Sequence, residues 1–459
     1  MYAMASLWFE SALLPQGWTR DVRLTEAGGR IERVLTGVAP APQDERHRIG
    51  IPGLANLHSH AFQRGLAGLT ERRGTEGDSF WTWRELMYRF VERIGPEELE
   101  ALAAFAFAEM LEGGFTRVGE FHYLHHDRDG RPFADPAELS GRLAAAAAAS
   151  GIGLTLLPTL YAHGGFGGTA PSARQRRFIN DPQTFARIVE ASRRAVGALP
   201  GACVGVAAHS LRAVTPPELA EVVALARGGA IHLHIAEQLR EVEDCVAWSG
   251  RRPLEWLLEH APVDERWCLV HATHASAAEL AAVAARGAVV GLCPVTESSL
   301  GDGIFPAAQF LSVGGRSGIG TDSNIRIDAA EELRTLEYSQ RLAHRARNVL
   351  APGAGLSTGR ALFDAALAGG HQALQPAGDQ GAVGLTDGAP LDLVALAADH
   401  PALLERREDE ILDSWIFAGD RTLVDCVWRG GRKLVSGGRH RDREALRAHY
   451  AQALRVLLA

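Results

Sequence analysis

Two patterns of hydrophobic and polar positions alternate through the central part of the chain. Short apolar runs bounded by turn residues predict strands, and longer segments with apolar residues at helical spacing predict helices. The strands are predicted at residues 51–60, 115–121, 153–160, 203–208, 230–235, 267–270, 288–293 and 317–321. The helices are predicted at 97–111, 137–150, 182–198, 217–226, 275–285 and 331–345. This α/β alternation favours a (β/α)8 TIM-like barrel, and no GxGxxG motif follows a strand to favour a doubly wound sheet.

Both ends of the chain show short alternating segments separated by Gly and Pro, which are typical of antiparallel strands. They lie at residues 7–10, 31–35, 392–396, 422–428 and 432–435, and a terminal helix is predicted at 443–458. We expect the two ends to form one small β-sandwich domain beside the barrel. The predicted domains are residues 1–50, residues 51–384 for the barrel, and residues 385–459 for the second part of the sandwich with the terminal helix.

Polar side chains follow the predicted barrel strands at the ends where barrels of this kind place their active sites. The first strand ends in His58-Ser59-His60, and the later ones end in Glu120, His122, Tyr123, His209, His234-Ile235-Ala236-Glu237, His271 and Asp322. Because side chains alternate along a strand, His58 and His60 should point the same way and can bind one metal ion. A single histidine here is more often structural, but several at successive strand ends indicate a metal site.

Composition removes several classes of function. The net charge of −8 argues against a nucleic-acid binder, and no apolar run reaches the ~18 residues of a membrane span. The five cysteines are scattered without a CxxC pair, which favours a reducing cytoplasm over a disulfide framework or a thiolate zinc site. Lys433 is the only lysine, so a Walker A loop, a pyridoxal Schiff base and a carboxylated lysine between two metals are all disfavoured.

These motifs resemble those of the amidohydrolase superfamily, and within it the mononuclear deaminases. The matching motifs are His58-Ser59-His60, His234-Ile235-Ala236-Glu237, His271 and Thr321-Asp322-Ser323. The resemblance implies one zinc ion per chain, held by His58, His60, His234 and Asp322 with a water completing the site. It also implies a homodimer. Zinc would lower the pKa of that water from about 15.7 to about 7. Glu237 would then shuttle a proton to the leaving nitrogen, and Asp322 and His271 would assist.

The residues alone leave two chemical classes of substrate possible. A flat nucleobase or triazine ring needs aromatic walls and amides, whereas a small anion needs arginines. Arg84 and Arg212 both follow barrel strands, as do Gln63 and Tyr123. A non-catalytic scaffold is a third possibility, which the intact ligand set and Glu237 disfavour.

The whole chain further resembles the deiminases of bacterial histidine breakdown that hydrolyse N-formimidoyl-L-glutamate to N-formyl-L-glutamate and ammonia. The matching segments are residues 53–65, 78–84, 119–126 and 208–214. The resemblance implies that hydroxide attacks the formimidoyl carbon. It also implies that the glutamate portion is held by Gln63, Arg84, Tyr123, His209 and Arg212. The alternative is another amidohydrolase-type deaminase that acts on a purine, pyrimidine or triazine ring.

Two remaining features have simpler interpretations. The glycine-rich segment 163–168 is interpreted as a plain flexible loop rather than a mobile lid. It also lacks the spacing of a phosphate loop. His125 and His126 are interpreted as loop histidines, because adjacent residues rarely bind one ion together.

Overall fold

The computed structural model describes residues 6–74, 77–374 and 381–459. Within them the strands are β1 Ser6–Leu14, β2 Gly17–Ala27, β3 Arg30–Leu35, β4 Glu45–Pro52, β5 Leu54–Ser59, β6 Phe115–His122, β7 Gly153–Leu160, β8 Cys203–Val204, β9 Val206–Ser210, β10 Ile231–Ile235, β11 Trp267–His271, β12 Val289–Leu292, β13 Arg316–Ile319, β14 Leu393–Leu396, β15 Val424–Arg429, β16 Arg432–Ser436 and β17 Arg439–His440. The helices are α1 Phe80–Val91, α2 Pro96–Glu112, α3 Glu138–Ser150, α4 Pro182–Val196, α5 Pro216–Leu225, α6 Leu239–Ser249, α7 Pro253–His260, α8 Ala277–Ala285, α9 Pro294–Leu300, α10 Ala307–Ser312, α11 Ala329–His344, α12 Thr358–Ala373, α13 Asp409–Phe417 and α14 Arg443–Leu458.

The central strands form a parallel barrel in the order β5-β6-β7-β9-β10-β11-β12-β13, with β8 pairing separately with β7. The barrel is closed by a parallel bridge between Ser59 and Asp322, next to the end of β13. The backbone N–H groups of Thr321 and Asp322 donate to the carbonyl oxygen of His58, and that of His60 donates to Asp322. The predicted (β/α)8 barrel is therefore confirmed, and its first and last strands meet at the predicted metal residues.

Both chain ends join in one separate sheet, in the strand order β17-β16-β15-β14-β4-β1-β2-β3. The predicted small β domain built from both ends is confirmed, although β1 and β4 pair in parallel while their neighbours are antiparallel. An apolar cluster that includes Phe9, Val22 and Leu393 fills it. The domain ranges 1–50, 51–384 and 385–459 stay predictions.

The apolar run at 51–60 serves both sheets rather than forming one strand. Ile51 and Pro52 end β4 and pair with β14, whereas β5 begins the barrel at Leu54. Gly53 makes the transition: its N–H donates to the carbonyl oxygen of Asp392, and a Cβ there would lie 2.2 Å from the Thr116 side chain. A continuous apolar pattern cannot show a change of sheet, which only the glycine marks.

Helix α12 was not predicted from the sequence, because its glycines interrupt the apolar pattern. These glycines allow the helix to approach the barrel closely. A Cβ on Gly369 would lie 2.0 Å from the carbonyl oxygen of Ser317, which lies on β13. Among the described residues, no helix combines the length and the apolar character needed to cross a membrane.

Replacing Gly369 with Ala should destabilise the fold by about 3 kcal/mol, because neither the helix nor the strand backbone can move without disturbing the barrel. The measurement is a chemical-denaturation curve. The control is Gly141→Ala, since Gly141 lies within α3 with no atom within 4 Å of an added Cβ. That change should be neutral or stabilising by up to about 1 kcal/mol. Equal stability of the two variants would contradict the proposed close contact.

Candidate metal centre and active site

Four buried side chains meet at the carboxyl ends of the barrel strands. They are His58, His60, His234 and Asp322, and their ligand atoms all lie within 4.8 Å of one another. Asp322 Oδ1 lies 3.4 Å from His58 Nε2 and 3.3 Å from His60 Nε2. The Nε2 atoms of His58 and His234 are 3.0 Å apart. The structure thus brings together the complete ligand set predicted from the sequence.

The backbone at these strand ends is strained at several residues. Non-glycine residues with positive φ include Ala236 (50°), His271 (68°), Asp322 (42°) and Asn324 (55°). The side-chain amide of Asn324 donates to the carbonyl oxygens of both His60 and Asp322, each at 3.1 Å. Such conformations persist only where surrounding contacts impose them, and they concentrate at functional sites.

Hydrogen bonds to backbone carbonyls set the orientation of two of the histidines. Nδ1 of His60 donates to the carbonyl oxygen of Phe121, and Nδ1 of His234 donates to that of His209, both at 2.9 Å. With the proton on Nδ1, each Nε2 presents its lone pair to the cluster. The Nε2 atom of His234 lies 3.0 Å from that of His58, so both nitrogen atoms can contact a single ion. This donor set therefore fits a divalent metal ion.

The charge states also suit a metal ion. Burial lowers the pKa of His58 to about 3, and it lowers the pKa values of His60 and His234 as well. Burial alone would raise the pKa of Asp322, but the surrounding histidines hold it well below its usual range. Neutral imidazoles and an ionised carboxylate are the forms that bind metal.

Glu237 and His271 face the cluster from two neighbouring strand ends. His271 Nε2 lies 3.9 Å from a carboxylate oxygen of Glu237 and 3.9 Å from one of Asp322. Burial raises the pKa of Glu237 to about 7, although the nearby positive charges of His271 and Arg212 lower it. Burial disfavours the charged form of His271, but Glu237 and the other neighbouring carboxylates raise its pKa to about 10. A carboxyl group that titrates near neutral pH can both accept and donate a proton.

Two buried glutamates that were not identified from the sequence support this pair. Oε1 of Glu297 lies 3.1 Å from Nδ1 of His271, which directs the opposite ring nitrogen toward Glu237. Oε2 of Glu241 accepts the backbone N–H of Glu237 at 3.1 Å. Glu297 follows strand β12, so the strand-end rule could have found it. Glu241 could not be distinguished from an ordinary first-turn carboxylate.

A cavity opens beside the cluster and contains every predicted substrate residue. It is lined by Gln63, Arg84, Tyr123, His209 and Arg212 together with His60, His234, Glu237, His271 and Asp322. Its aromatic and apolar wall was not identified from the sequence and comprises Phe80, Trp83, Met87, Tyr88, Tyr161, Phe178 and Leu300.

Several polar atoms in the cavity lack partners. The buried Nε atoms of Arg84 and Arg212 and Oε1 of Gln63 form no hydrogen bond within the described parts of the chain. The side-chain amide of Gln63 instead donates to the Tyr123 hydroxyl at 3.2 Å. Buried polar atoms are rarely left unpaired, so these three atoms point to a polar ligand.

The remaining strand-end residues lie outside the four-residue cluster. Oε1 of Glu120 accepts the backbone N–H of Ala61 at 2.7 Å. The ring Nε2 atoms of His125 and His126 lie 2.9 Å and 3.0 Å from backbone carbonyl oxygens. These contacts give both histidines a structural role, in line with the interpretation of them as loop histidines. In the glycine-rich segment, Phe166 stacks on Trp248 of α6 at a ring-centroid distance of 5.5 Å.

Comparison with known proteins identifies the family to which this chain belongs. Residues 49–434 match the model of the amidohydrolase family. Residues 4–48 match the model described as the N-terminal domain of formimidoylglutamate deiminase HutF. The chain belongs to the amidohydrolase family, and it is a hydrolase that acts on carbon–nitrogen bonds.

Individual relatives extend over the whole chain. A formimidoylglutamate deiminase from Pseudomonas aeruginosa is 51% identical, and the match covers 99% of this chain and 100% of that protein. The crystal structure of an amidohydrolase from Brucella melitensis is similar with a TM-score of 0.95 and 55% identity, covering 99% of this chain and 100% of that one. An adenosine deaminase from Xanthomonas campestris with bound zinc shares the fold at a TM-score of 0.80 and 24% identity, covering 99% of each chain.

Proposed function

We propose that this enzyme hydrolyses N-formimidoyl-L-glutamate to N-formyl-L-glutamate and ammonia in histidine degradation, with one zinc ion per chain. The observation that carries the proposal is one cavity beside the cluster of three histidines and one aspartate, lined by two arginines whose buried Nε atoms find no hydrogen-bond partner in the described parts of the chain. The identity to the Pseudomonas aeruginosa deiminase supports the same substrate. The homodimer implied by the resemblance and the cytoplasmic location inferred from the scattered cysteines stay predictions.

Zinc suits the proposed ligands His58, His60, His234 and Asp322, since imidazole and carboxylate are ordinary zinc ligands. Bound there, zinc would acidify a water molecule and polarise the substrate. The neutral Nε2 atoms and the ionised carboxylate described above are already in the states required for binding.

Glu237 is the proposed proton carrier. Its carboxylate takes a proton from the attacking water and delivers it to the terminal nitrogen of the formimidoyl group. The water oxygen bonds to the formimidoyl carbon, the bond from that carbon to the terminal nitrogen breaks, and the nitrogen leaves as ammonia. The pKa of Glu237, raised to about 7, suits both transfers near neutral pH. His271 hydrogen-bonds the developing oxygen charge through Nε2. Asp322 accepts the second proton of the water and returns it to the departing nitrogen, which with both protons leaves as ammonia.

The arginines account for the anionic part of the substrate. A glutamate portion carries two carboxylates, and Arg84 and Arg212 each offer a buried Nε without a partner in the described structure. Gln63, Tyr123 and His209 line the same cavity and complete the proposed binding site. A neutral purine, pyrimidine or triazine ring would offer no carboxylate to either guanidinium group, which makes the ring deaminase the less favoured alternative.

The decisive experiment is ammonia release by zinc-loaded enzyme from N-formimidoyl-L-glutamate, with guanine and cytosine assayed in parallel. Release from the first substrate alone is expected. Release only from a nucleobase would keep the hydrolytic site and overturn the substrate assignment. No release from any of the three by zinc-bound enzyme would overturn the proposed reaction.

Arg212→Met should raise KM about 10- to 100-fold while kcat changes by less than about threefold, because a charged hydrogen bond to a substrate carboxylate is lost. Steady-state kinetics on N-formimidoyl-L-glutamate measure both constants. The matched control is Arg286→Met, because Arg286 is exposed at the end of α8. Its KM should equal that of the wild type. An unchanged KM in Arg212→Met would remove this arginine from the binding site.

A further inference from the structure

One indole ring lies beside both cavity arginines. The guanidinium carbon of Arg84 lies 4.6 Å from the centroid of the Trp81 ring, and that of Arg212 lies 5.7 Å from it. Trp81 does not line the cavity itself within the described residues. It is half-buried in the first turn of α1, where its backbone N–H donates to the side chain of Ser79 at 3.3 Å. Its ring meets that of buried Phe80 edge-on at a centroid distance of 5.2 Å.

We propose that Trp81 is a positioning residue that holds the guanidinium groups of Arg84 and Arg212 together at the cavity, ready to bind a dianionic substrate. The inference rests on the proposed function, because it assumes that these arginines bind the carboxylates of the substrate. It adds a residue that acts on the substrate only through the two arginines.

The two cations need such a partner when the cavity is empty. The buried Nε atoms of Arg84 and Arg212 form no hydrogen bond with any described residue. Glu237 and Glu241 lie near enough to Arg212 to stabilise its charge. Arg84 has aromatic neighbours instead, the rings of Trp81 and, at 5.6 Å, Tyr88. The negative face of an aromatic ring attracts guanidinium ions, and this attraction strengthens when water is excluded.

Sequence spacing fixes the contact with Arg84. Trp81 and Arg84 are three positions apart on the same helix, so their side chains lie on one face. Arg212 follows β9, and its guanidinium carbon lies 5.7 Å from the centroid of the same ring. A third guanidinium, that of exposed Arg240, lies 4.9 Å from the ring centroid on the solvent side. Trp81 therefore connects two arginines that the fold supplies from separate elements.

A ring that positions the arginines should affect binding and leave the chemical step unchanged. In Trp81→Ala the arginines lose their alignment, so KM for N-formimidoyl-L-glutamate should rise about tenfold or more while kcat stays within about threefold. Trp81→Phe keeps an aromatic face over Arg84 and should recover most of the loss. The inhibition constant of glutarate, a dicarboxylate without the reacting group, should rise in parallel with KM.

The control is Trp248→Ala, which removes an indole that is 37% exposed and makes no contact with the cavity arginines. It should leave KM and the glutarate constant unchanged. Unchanged constants in Trp81→Ala, an equal effect of Trp248→Ala, or a fall in kcat alone would each overturn the positioning role.

If the wild type fails to hydrolyse the substrate, the proposed function fails. Glutarate binding measured by calorimetry then still tests Trp81, because weaker binding in Trp81→Ala supports the role and equal or absent binding overturns it.

Discussion

Glu237→Gln is expected to lower kcat about 10²- to 10⁴-fold while the enzyme keeps its metal and its KM changes little. The carboxyl group is buried and lies 3.9 Å from His271, with a pKa raised to about 7. Glutamine has nearly the same shape but cannot carry a proton between water and the leaving nitrogen. Steady-state kinetics and metal analysis of the purified variant test both parts of the prediction.

The matched control for this substitution is Glu243→Gln, because Glu243 is exposed on α6, close in sequence to Glu237. It should behave as the wild type. If Glu237→Gln retained near-normal kcat with metal bound, Glu237 would not be the proton carrier. If it lost the metal, the residue would belong to the ligand set.

Loss of the metal should abolish turnover and lower the melting temperature. Treatment with a chelator leaves hydrolysis dependent on unactivated water, so we expect activity to fall by more than about 10³-fold and to return on adding zinc. Because the ligands converge only in the folded chain, metal binding stabilises the native state by mass action. The melting temperature of the stripped enzyme should therefore rise when zinc is restored.

A substitution separates this site from incidental metal binding. His234→Ala removes a ligand whose Nδ1 is held by the carbonyl oxygen of His209, so the variant should bind little zinc and show no thermal response to it. His344→Ala, at an exposed position near the end of α11, should keep both properties. A His234→Ala enzyme with full zinc content and full activity would contradict the proposed ligand set.

The sequence was sufficient to predict which candidate ligands would lie together, because a barrel collects the residues at its strand ends. His58, His60, His234 and Asp322 each follow an apolar run, and the structure brings them together as that pattern predicts. Glu237 was found through the motif that it shares with His234. The composition of the site follows from which residues end the successive barrel strands, and this pattern can be read from a single sequence.

The supporting contacts depend on side-chain directions, which the sequence does not display. Glu297 reaches His271 from α9, and the carboxylate of Glu241 turns back to a backbone N–H of its own segment. In the sequence Glu241 resembles an ordinary first-turn helix carboxylate, whereas Glu297 follows β12 but carries no sign of its contact with His271. The change of sheet at Gly53 was hidden for a similar reason, since hydrophobicity shows that a strand is buried without showing in which sheet.

The closure of the barrel at the metal residues has a consequence for biosynthesis. Backbone hydrogen bonds join His58 to Thr321 and Asp322, so the ligand set is split between the first and the last barrel strand. During translation, His58 and His60 leave the ribosome long before their carboxylate partner has been made. A nascent chain that ends before Asp322 holds only a partial and unclosed site. We therefore expect the proposed metal to be acquired late, after the whole barrel has been synthesised.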